Sequence, residues 1–555
     1  MDAEKESILL ENGNVYVSAC PGSGKTTLLI ERLKRNVNKN DNCRLHLVLT
    51  HTNAAAEEII DRLNKLNVTS ENIWCGTIHS FFLEWIIRHY AGSLDRLTHG
   101  FTLIVEYEQR KIVRELCVKH EVNGKINLVS DEKGKISLEP ETLDNELNLK
   151  YKRVILDYFD YKTHKRLIDF NDILLLSKEI LSKNDKIGFI LSKLIGFIYL
   201  DESQDTSYLQ FDCLSEITKY NNLETFIVGD TDQAIYLDMG ISIKYSDTVK
   251  KLLSIDNFKN RTLVGCYRST EAIVNYYKKY SCSNMDIKSR RSEIGFSPSV
   301  NYIIKSELSD RVINLLRKYK DKYGSVSGVA VLGPNQVYLR NVLLDIYDKS
   351  TDFIFDYDKM NPLYQLYNTI WKDIVTFSML NITVANYSKR HLIAMRIIES
   401  AFEVNSVNIY EFKIKMNEFN CQIPVFTVWF KKLHDYFINN FPESPILDID
   451  FKVAMAKLGR GKNNLSSLAM KKIINSDDDV VRVSSFHGVK GEEFNYVIAL
   501  GFHKGAVPHH TCAIKGAEYE SEVANRLIYV ALSRAKNFMN IYIDDSSEVS
   551  DYFIK

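Results

Sequence analysis

The sequence lacks an excess of charge of either sign, because 71 lysines and arginines balance 71 aspartates and glutamates. Proteins that coat nucleic acid through bulk electrostatics usually carry a clear positive excess. The balance therefore excludes a coating protein, and any contact with nucleic acid has to be made by a local groove.

Cysteine pairs, long apolar runs and a secretory leader are missing as well. The nine cysteines are scattered without a C-x-x-C pair, which excludes the usual zinc and redox motifs. Apolar stretches such as Leu194 to Leu200 are far shorter than the roughly 20 residues that span a bilayer. Met1 to Glu11 is mostly charged, unlike a signal peptide. We therefore expect reduced cysteines, a cytoplasmic location and no membrane contact.

Short apolar runs, each followed by polar or small residues and a helical pattern, predict an α/β protein. They form two sets, each interrupted by a mainly helical stretch, which predicts two domains that are each split by an insertion. The first set is Val15 to Ser18, Leu45 to Leu49, Phe197 to Leu200 and Thr225 to Val228, and the second is Val329 to Leu332, Val481 to Ser485, Tyr496 to Leu500 and Asn540 to Ile543. The predicted boundaries are 1–84 with 175–255 for the first domain, 85–174 for its insertion, 256–350 with 478–555 for the second domain, and 351–477 for its insertion.

The strongest local motif follows the first apolar run. Its sequence, Ala19-Cys20-Pro21-Gly22-Ser23-Gly24-Lys25-Thr26, has the spacing of a phosphate-binding loop with Ala in place of the first Gly. The glycines let backbone N–H groups close around phosphate oxygens, Lys25 neutralises charge and Thr26 can bind Mg²⁺. A chance glycine-rich turn is the alternative. The segment up to Thr27 is predicted to bind a nucleotide.

Two carboxylates follow the apolar run Phe197 to Leu200. Asp201 and Glu202 should therefore lie at the carboxyl edge of the sheet, where the phosphates are expected. Asp201 can hold Mg²⁺, and Glu202 can orient or deprotonate the water that attacks the γ-phosphate. The alternative is an acidic loop that caps the next helix. The pair predicts hydrolysis of the nucleotide.

Eight segments occur in an order that resembles the superfamily 1A helicases of the UvrD/PcrA/Rep type over nearly the whole chain. They are Thr50 to Glu57, Thr77 to Phe81, Asp201 to Asp205, Val228 to Tyr236, Tyr267 to Ser269, Val329 to Asn335, Ser485 to Phe494 and Tyr529 to Lys536. The resemblance implies two RecA-like P-loop NTPase domains, ATP and Mg²⁺ as cofactors, and single-stranded or tailed double-stranded DNA as the partner.

For ATP, the resemblance assigns Gln233 to the γ-phosphate from the first domain. Arg268 and Arg534 would reach the same phosphate from the second domain as arginine fingers supplied in cis. Glu493 would reach the ribose, and Tyr267 would stack beside the adenine. Such guanidinium groups favour hydrolysis only in a closed state, so turnover would alternate closed and open forms.

For DNA, the resemblance implies contacts from both domains to the phosphates of the strand. The matching residues are Thr52, Asn53, Thr77, His79, Ser80, Ser485 and His487. Tyr236 and Phe81 are the candidates for stacking on bases, an interaction that is largely insensitive to sequence. The implied activity is a 3′ to 5′ ATP-dependent DNA helicase or translocase in DNA repair or anti-phage defence.

Three positions depart from the family pattern. Leu237-Asp238-Met239-Gly240 stands where the family has an aromatic residue, an arginine and a glycine, and an Asp there repels phosphate. His51 stands where Phe is frequent, and residues 2–7 supply no adenine-reading Gln. ATP preference is therefore implied by the family alone.

The chain stops about 20 residues after Arg534, so we expect a compact motor without further domains. In its short length, the chain resembles the UvrD-like subunits of anti-phage systems, notably the helicase of Gabija, which acts beside a separate nuclease. The pair Asp238-Met239 favours an alternative, a sensor subunit in which ATP and DNA binding switch a partner nuclease with little unwinding.

Overall fold

The protein folds into two compact units, residues 1–294 and 295–555, each built around a six-stranded sheet. The computed structural model describes residues 3–39, 44–66, 68, 71–104, 106–122, 126–139, 144–236, 242–350, 352–357, 363, 366, 369–383, 386–402, 407–442, 447–458, 466–475 and 480–553.

The sheet of the first unit is parallel throughout, with the strand order β6-β1-β5-β4-β2-β3. Its strands are β1 (Asn14–Ala19), β2 (Leu45–Thr50), β3 (Ile73–Thr77), β4 (Ile195–Leu200), β5 (Glu224–Gly229) and β6 (Phe258–Leu263). All four predicted strands are present in this sheet. The strands β3 and β6, which were not predicted, form its two edges.

Helices cover the sheet and form the insertion of the first unit. They are α1 (Ala3–Leu10), α2 (Lys25–Lys39), α3 (Asn53–Lys65), α4 (Ile78–Phe82), α5 (Arg88–Tyr90), α6 (Glu106–Lys119), α7 (Asn145–Lys165), α8 (Phe170–Lys183), α9 (Asp185–Leu194), α10 (Tyr208–Thr218), α11 (Ser246–Leu252) and α12 (Glu271–Tyr277). A π-helical turn, Leu83–Ile87, joins α4 to α5.

Both faces of the first sheet are buried, because successive side chains of a strand point to opposite faces and both sets are apolar here. In β1, Val15 and Val17 belong to one core cluster and Tyr16 to the other. A sheet buried on both faces is exposed only at its edge strands and at the ends of its strands. The carboxyl end of this sheet is therefore the place for polar function.

The insertion has a small core of its own, formed by α6, α7 and an antiparallel hairpin of Asn127–Ser130 with Ile136–Glu139. The hairpin lies within a polar stretch of the sequence, residues 122–148. The hairpin turn contacts the rest of the unit, since Glu132 accepts hydrogen bonds from the Ser242 amide and from the Lys244 ammonium at 3.0 and 3.1 Å.

The second unit repeats the parallel arrangement with the strand order β7-β12-β11-β8-β10-β9. Its strands are β7 (Ser299–Ile303), β8 (Val329–Gly333), β9 (Ile354–Tyr357), β10 (Val480–Ser485), β11 (Phe494–Leu500) and β12 (Ala535–Asp544). Its helices are α13 (Lys305–Tyr323), α14 (Gln336–Lys349), α15 (Ile370–Met379), α16 (Tyr387–Ala401), α17 (Ile409–Asn417), α18 (Phe426–Asn440), α19 (Leu447–Leu458), α20 (Ser467–Ile474) and α21 (Ala517–Leu532). The mixed α/β fold with two parallel sheets confirms the predicted fold class.

The boundary predicted at residue 255 is too early. The strand β6 pairs with β1 from Asn14 opposite Phe258 to Ala19 opposite Leu263, so residues after 255 continue the first sheet. The first compact unit extends to Ile294. Among the described residues, none of the helices has both the length and the apolar character needed to cross a membrane.

A buried ion cluster joins α7 to α8. The Lys162 ammonium lies 2.8 Å from the Asp169 carboxylate and 2.7 Å from that of Asp172, and all three side chains are buried. The Tyr158 hydroxyl also donates to Asp169 at 2.7 Å. Burial would raise the pKa of the Asp169 carboxyl, but the Lys162 charge and its hydrogen bond outweigh burial and lower it. The cluster fixes the insertion at the start of α8.

We expect Lys162→Met to lower the free energy of unfolding by about 3–5 kcal/mol, because two buried carboxylates lose their shared cation. Urea unfolding of the whole chain, followed by circular dichroism, measures the change. The control is Lys186→Met at an exposed position of α9, for which the expected change is within about 0.5 kcal/mol. Equal midpoints for the two variants would contradict the role given to the cluster.

Candidate functional site

The predicted phosphate loop connects β1 to α2 at the carboxyl end of the first sheet. Ala19 ends the strand, the buried Cys20 and Pro21 follow, and Lys25 begins the helix. Gly22 and Gly24 have φ angles of +68° and +82°, which L-residues with a side chain rarely adopt. The Ser23 hydroxyl donates to the Cys20 carbonyl at 2.8 Å. The loop thus leaves backbone N–H groups at the positive end of a 15-residue helix, an arrangement suited to phosphate.

The segment Tyr267-Arg268 forms one wall of this loop. The Tyr267 N–H donates to the Gly22 carbonyl at 2.8 Å. A Cβ atom at Gly22 would lie only 2.4 Å from the Cβ of Arg268, so only glycine fits. The sequence assigned Arg268 to the second domain. That assignment is wrong, because β6 and the residues that follow it belong to the first unit.

Three carboxylates surround the Lys25 ammonium, which is 3.9 Å from the Asp230 carboxylate. Burial alone would lower the pKa of Lys25, but the charges of Glu202, Asp230 and Asp201 outweigh it and raise the pKa. Asp230 follows β5 in the same way that Asp201 follows β4. Asp230 was not among the predicted site residues, although it shows the same signal as Asp201, an acidic residue directly after an apolar strand.

Thr26 and Asp201 are the residues that fit a magnesium ion. The Thr26 hydroxyl donates to the Asp201 carboxylate at 3.0 Å, so both oxygens already lie at one place beside the loop. Burial, with a contribution from Glu202, raises the pKa of Asp201 to about 6. Among the described residues, no cluster of three or more His, Cys, Asp or Glu side chains could hold a metal.

A chain of hydrogen bonds links Glu202 to Gln233. Gln204 donates its amide to Glu202 and accepts from the Asp230 N–H at 2.9 Å. The Gln233 amide donates to the Asp230 carboxylate at 2.6 Å. The backbone of Glu202 has a φ of +52°, which holds this side chain in an uncommon position directly after β4. The predicted catalytic residues Lys25, Glu202 and Gln233 are therefore brought together around Asp230.

The predicted DNA-contacting residues of the first unit lie at helix starts. Thr52 and Thr77 are the N-caps of α3 and α4, with hydroxyls that accept from Ala55 and Ser80 N–H groups. Asn53 is exposed. His79 stacks on Phe170 at 3.8 Å, and burial with the charge of His51 lowers the pKa of His79 to about 4. His79 is thus neutral at physiological pH and can contact a phosphate through a hydrogen bond.

The stacking role predicted for Phe81 is wrong. Phe81 is fully buried and packs edge-on against Trp74 and Phe82, so its ring belongs to the core. Tyr236, the other candidate, is half-buried. The departure from the family pattern at Leu237-Asp238-Met239-Gly240 lies outside the described residues.

The predicted site residues of the second unit lie around the ends of β10 and α21. Ser485 ends β10 and accepts from the Gly488 N–H at 3.2 Å, and His487 is half-buried in the same turn. The exposed Glu493 pairs with Lys536 at 2.6 Å. Arg534 is buried, and its guanidinium donates to the carbonyls of Val530 and Glu492 at 2.9 and 3.3 Å.

The geometry of the first unit defines a class of protein. A glycine loop, a lysine among carboxylates and a Thr–Asp pair at one sheet edge are the parts that P-loop nucleoside triphosphatases use to bind and cleave a triphosphate. The comparisons with known proteins narrow this class.

Two family models match, the UvrD/REP helicase N-terminal domain at residues 1–240 and the UvrD-like helicase C-terminal domain at residues 149–545. The ATP-dependent DNA helicase Rep of Buchnera aphidicola subsp. Acyrthosiphon pisum is 24% identical over 96% of this chain and 93% of its own length. Rep of the subspecies Schizaphis graminum is 25% identical over 96% and 91%. The ATP-dependent DNA helicase PcrA of Staphylococcus aureus is 24% identical over 51% of this chain and 40% of its own. The chain therefore belongs to the UvrD-like helicase family, which indicates an ATP-hydrolysing helicase.

We expect Gly22→Ala to reduce ATP hydrolysis about 100-fold, because the new methyl group would push the loop away from Arg268 and misplace the phosphates. A steady-state hydrolysis assay measures the loss.

Gly13→Ala is the matched control. Gly13 also has a positive φ, +79°, but a Cβ there would meet no atom within 4 Å. This variant should lose about 1–2 kcal/mol of stability and keep its turnover. If the two variants hydrolysed ATP at the same rate, close contact with Arg268 would not be the reason for glycine at position 22.

Proposed function

We propose that this protein is an ATP-dependent translocase and helicase that moves 3′ to 5′ along single-stranded DNA. The observation that carries the proposal is the placement of Lys25, the Thr26–Asp201 pair and Glu202 at one edge of the first sheet. The relatives named Rep and PcrA, both ATP-dependent DNA helicases, support DNA as the substrate.

The residues divide the work of hydrolysis among them. Bound MgATP supplies the phosphoanhydride bond that is cleaved. Lys25 would neutralise phosphate charge, and Thr26 with Asp201 would hold Mg²⁺. Glu202 takes the proton of the attacking water, and its hydrogen bond from Gln204 keeps the carboxylate oriented.

Gln233 and the two arginines are proposed to respond to the γ-phosphate. The Gln233 amide is hydrogen-bonded to the Asp230 carboxylate, and that carboxylate is also paired with Lys25. A movement of Lys25 and Asp230 would therefore move Gln233 as well. Arg268 stands beside the loop in the first unit, where it can stabilise the charge that develops on the phosphoryl group. Arg534 of the second unit remains the proposed arginine finger, and Glu493 the proposed ribose contact.

For DNA, we propose phosphate contacts from both units and stacking from Tyr236. The phosphate-binding residues are Thr52, Asn53, Thr77, His79, Ser80, Ser485 and His487. The side chains described for these positions include neutral hydroxyl donors and a neutral imidazole, which suit a strand that has to slide. The balanced net charge agrees with this, because tight binding by bulk charge would slow translocation.

A sensor subunit beside a partner nuclease, as in the Gabija type of anti-phage defence, is the second candidate. The feature that favours it is Asp238-Met239, since an acidic residue weakens the grip on a phosphate chain. A helicase should separate the strands of a tailed duplex, whereas a sensor subunit should show little strand separation.

The test measures ATP hydrolysis with and without single-stranded DNA, together with strand displacement on duplexes that carry a 3′ or a 5′ tail. We expect DNA to stimulate hydrolysis at least about tenfold, and displacement of the 3′-tailed duplex only, with Lys25→Ala inactive in both assays.

Stimulation without displacement would favour the sensor subunit. Stimulation by RNA alone, or displacement from a 5′ tail, would contradict the proposed substrate or direction.

A further inference from the structure

The hairpin of the first insertion ends in a turn that lies between α8 and α10. Gly134 in this turn has a φ of +84°, and a Cβ atom there would lie 2.8 Å from Leu175 of α8 and 2.8 Å from Leu209 of α10. The Asp131 carboxylate accepts hydrogen bonds from two backbone N–H groups of the turn, at 2.9 and 2.8 Å. The turn is therefore held by its own hydrogen bonds and packs tightly against both helices.

Glu132, in the same turn, binds two segments that are far apart in the sequence. Its backbone carbonyl accepts a hydrogen bond from the Leu209 N–H at 2.9 Å. Its carboxylate accepts from the N–H and the hydroxyl of Ser242 at 3.0 and 2.9 Å. The Lys244 ammonium donates to the same carboxylate at 3.1 Å. One residue of the insertion is thus bonded to the start of α10 and to the chain that precedes α11.

The ion pair between Glu132 and Lys244 is buried, since their side chains are 14% and 0% exposed. The Lys244 ammonium also donates to the Ser242 carbonyl at 3.0 Å and lies 4.4 Å from the centroid of the Tyr208 ring, at the start of α10. A buried ammonium that loses its carboxylate is left with an uncompensated charge, which is strongly unfavourable. The pair therefore keeps the turn, α10 and the chain before α11 together.

Both segments that Glu132 binds continue from the catalytic edge of the first sheet. The helix α10 begins shortly after Glu202, the residue proposed to activate water. Ser242 comes shortly after Gln233, the residue proposed to respond to the γ-phosphate. Each of these two proposed catalytic residues therefore stands on a stretch of chain that leads to a residue bonded to Glu132.

The other helix beside the turn, α8, leads to a residue proposed to contact DNA. Phe170 begins α8 and stacks on His79, with the ring centroids 3.8 Å apart. Leu175 follows on the same helix, just over one helical turn further along, and it contacts the hairpin turn at Gly134. Direct contacts thus run from His79 through α8 to the turn that carries Glu132, and energetic coupling requires such a continuous series.

We propose that Glu132 is a positioning residue that couples DNA at His79 to ATP hydrolysis at Glu202 and Gln233. DNA bound at His79 fixes Phe170 and with it α8, the hairpin turn follows α8, and Glu132 sets the position of the two segments that lead to the catalytic edge. The inference rests on the proposed function, because DNA binding is its input.

The test compares ATP hydrolysis by the whole chain at saturating single-stranded DNA with hydrolysis in the absence of DNA. We expect Glu132→Gln to lower the ratio of the two rates about fivefold, because one amide oxygen replaces the two carboxylate oxygens that bind Ser242 and Lys244. A loss of stability alone would lower both rates by the same factor and would leave the ratio unchanged.

Glu139→Gln is the matched control, since it makes the same chemical change at an exposed position of the same hairpin and should keep the ratio. Lys244→Met removes the other partner of the ion pair and should also lower the ratio about fivefold. Because the two residues act through one contact, the double variant should lower the ratio no further than either single variant does. Thermal denaturation checks that each variant is folded, and either single variant decides the question if the other is not.

The inference is overturned if either single variant, folded at the assay temperature, keeps the ratio of the unaltered protein. It is also overturned if the double variant has a clearly lower ratio than both single variants. In each case the proposed function stands as long as DNA stimulates hydrolysis by the unaltered protein. If DNA does not stimulate the unaltered protein, the proposed function itself fails.

Discussion

The proposed chemistry of this protein depends on the attraction between the Lys25 ammonium and the carboxylates of Asp201, Glu202 and Asp230. The charges of Asp201, Glu202 and Asp230 act on Lys25 together and outweigh the opposing charge of Arg268, and burial raises the pKa of both Asp201 and Asp230 to about 6. Such a cluster favours a partner that brings positive charge to the acids and negative charge to the lysine. A magnesium–triphosphate complex supplies both, because the metal can face Asp201 while the phosphates face Lys25. The hydrogen bonds made by Gln204 and Gln233 connect Glu202 to Gln233, the residues proposed for hydrolysis and for sensing the phosphate.

The central strands of both sheets could be predicted from the sequence, and the edge strands could not. A central parallel strand is covered on both faces, so its sequence is a continuous apolar run, such as the one in β4. An edge strand is half exposed and carries polar residues, as β6 does with Lys259, Asn260 and Arg261. In the two six-stranded sheets, the strands that were missed are β3, β6, β7 and β9, which are the four edge strands of these sheets. Missing β6 also moved the predicted domain boundary to residue 255 and placed Arg268 in the wrong unit.

The site could be predicted where its residues are close in sequence. The phosphate loop and the Asp201–Glu202 pair each follow one strand, so spacing alone identified them. Contacts between distant segments left no such pattern: the Gln204–Asp230 bond and the Glu132–Lys244 ion pair depend on how β4, β5 and the first insertion are arranged. The prediction for Phe81 failed because an aromatic residue beside a polar motif can face the core as easily as the solvent, and burial is a property of the whole unit.

A crystal structure with a non-hydrolysable ATP analogue and Mn²⁺ tests the central claim most directly, since the anomalous signal of manganese locates the metal. We expect the metal to bind the Thr26 hydroxyl on the side of Asp201, in place of the 3.0 Å hydrogen bond between them. We also expect the Lys25 ammonium to contact the phosphates instead of Asp230. Manganese bound elsewhere, or phosphates that do not touch the loop from Gly22 to Thr26, would contradict it.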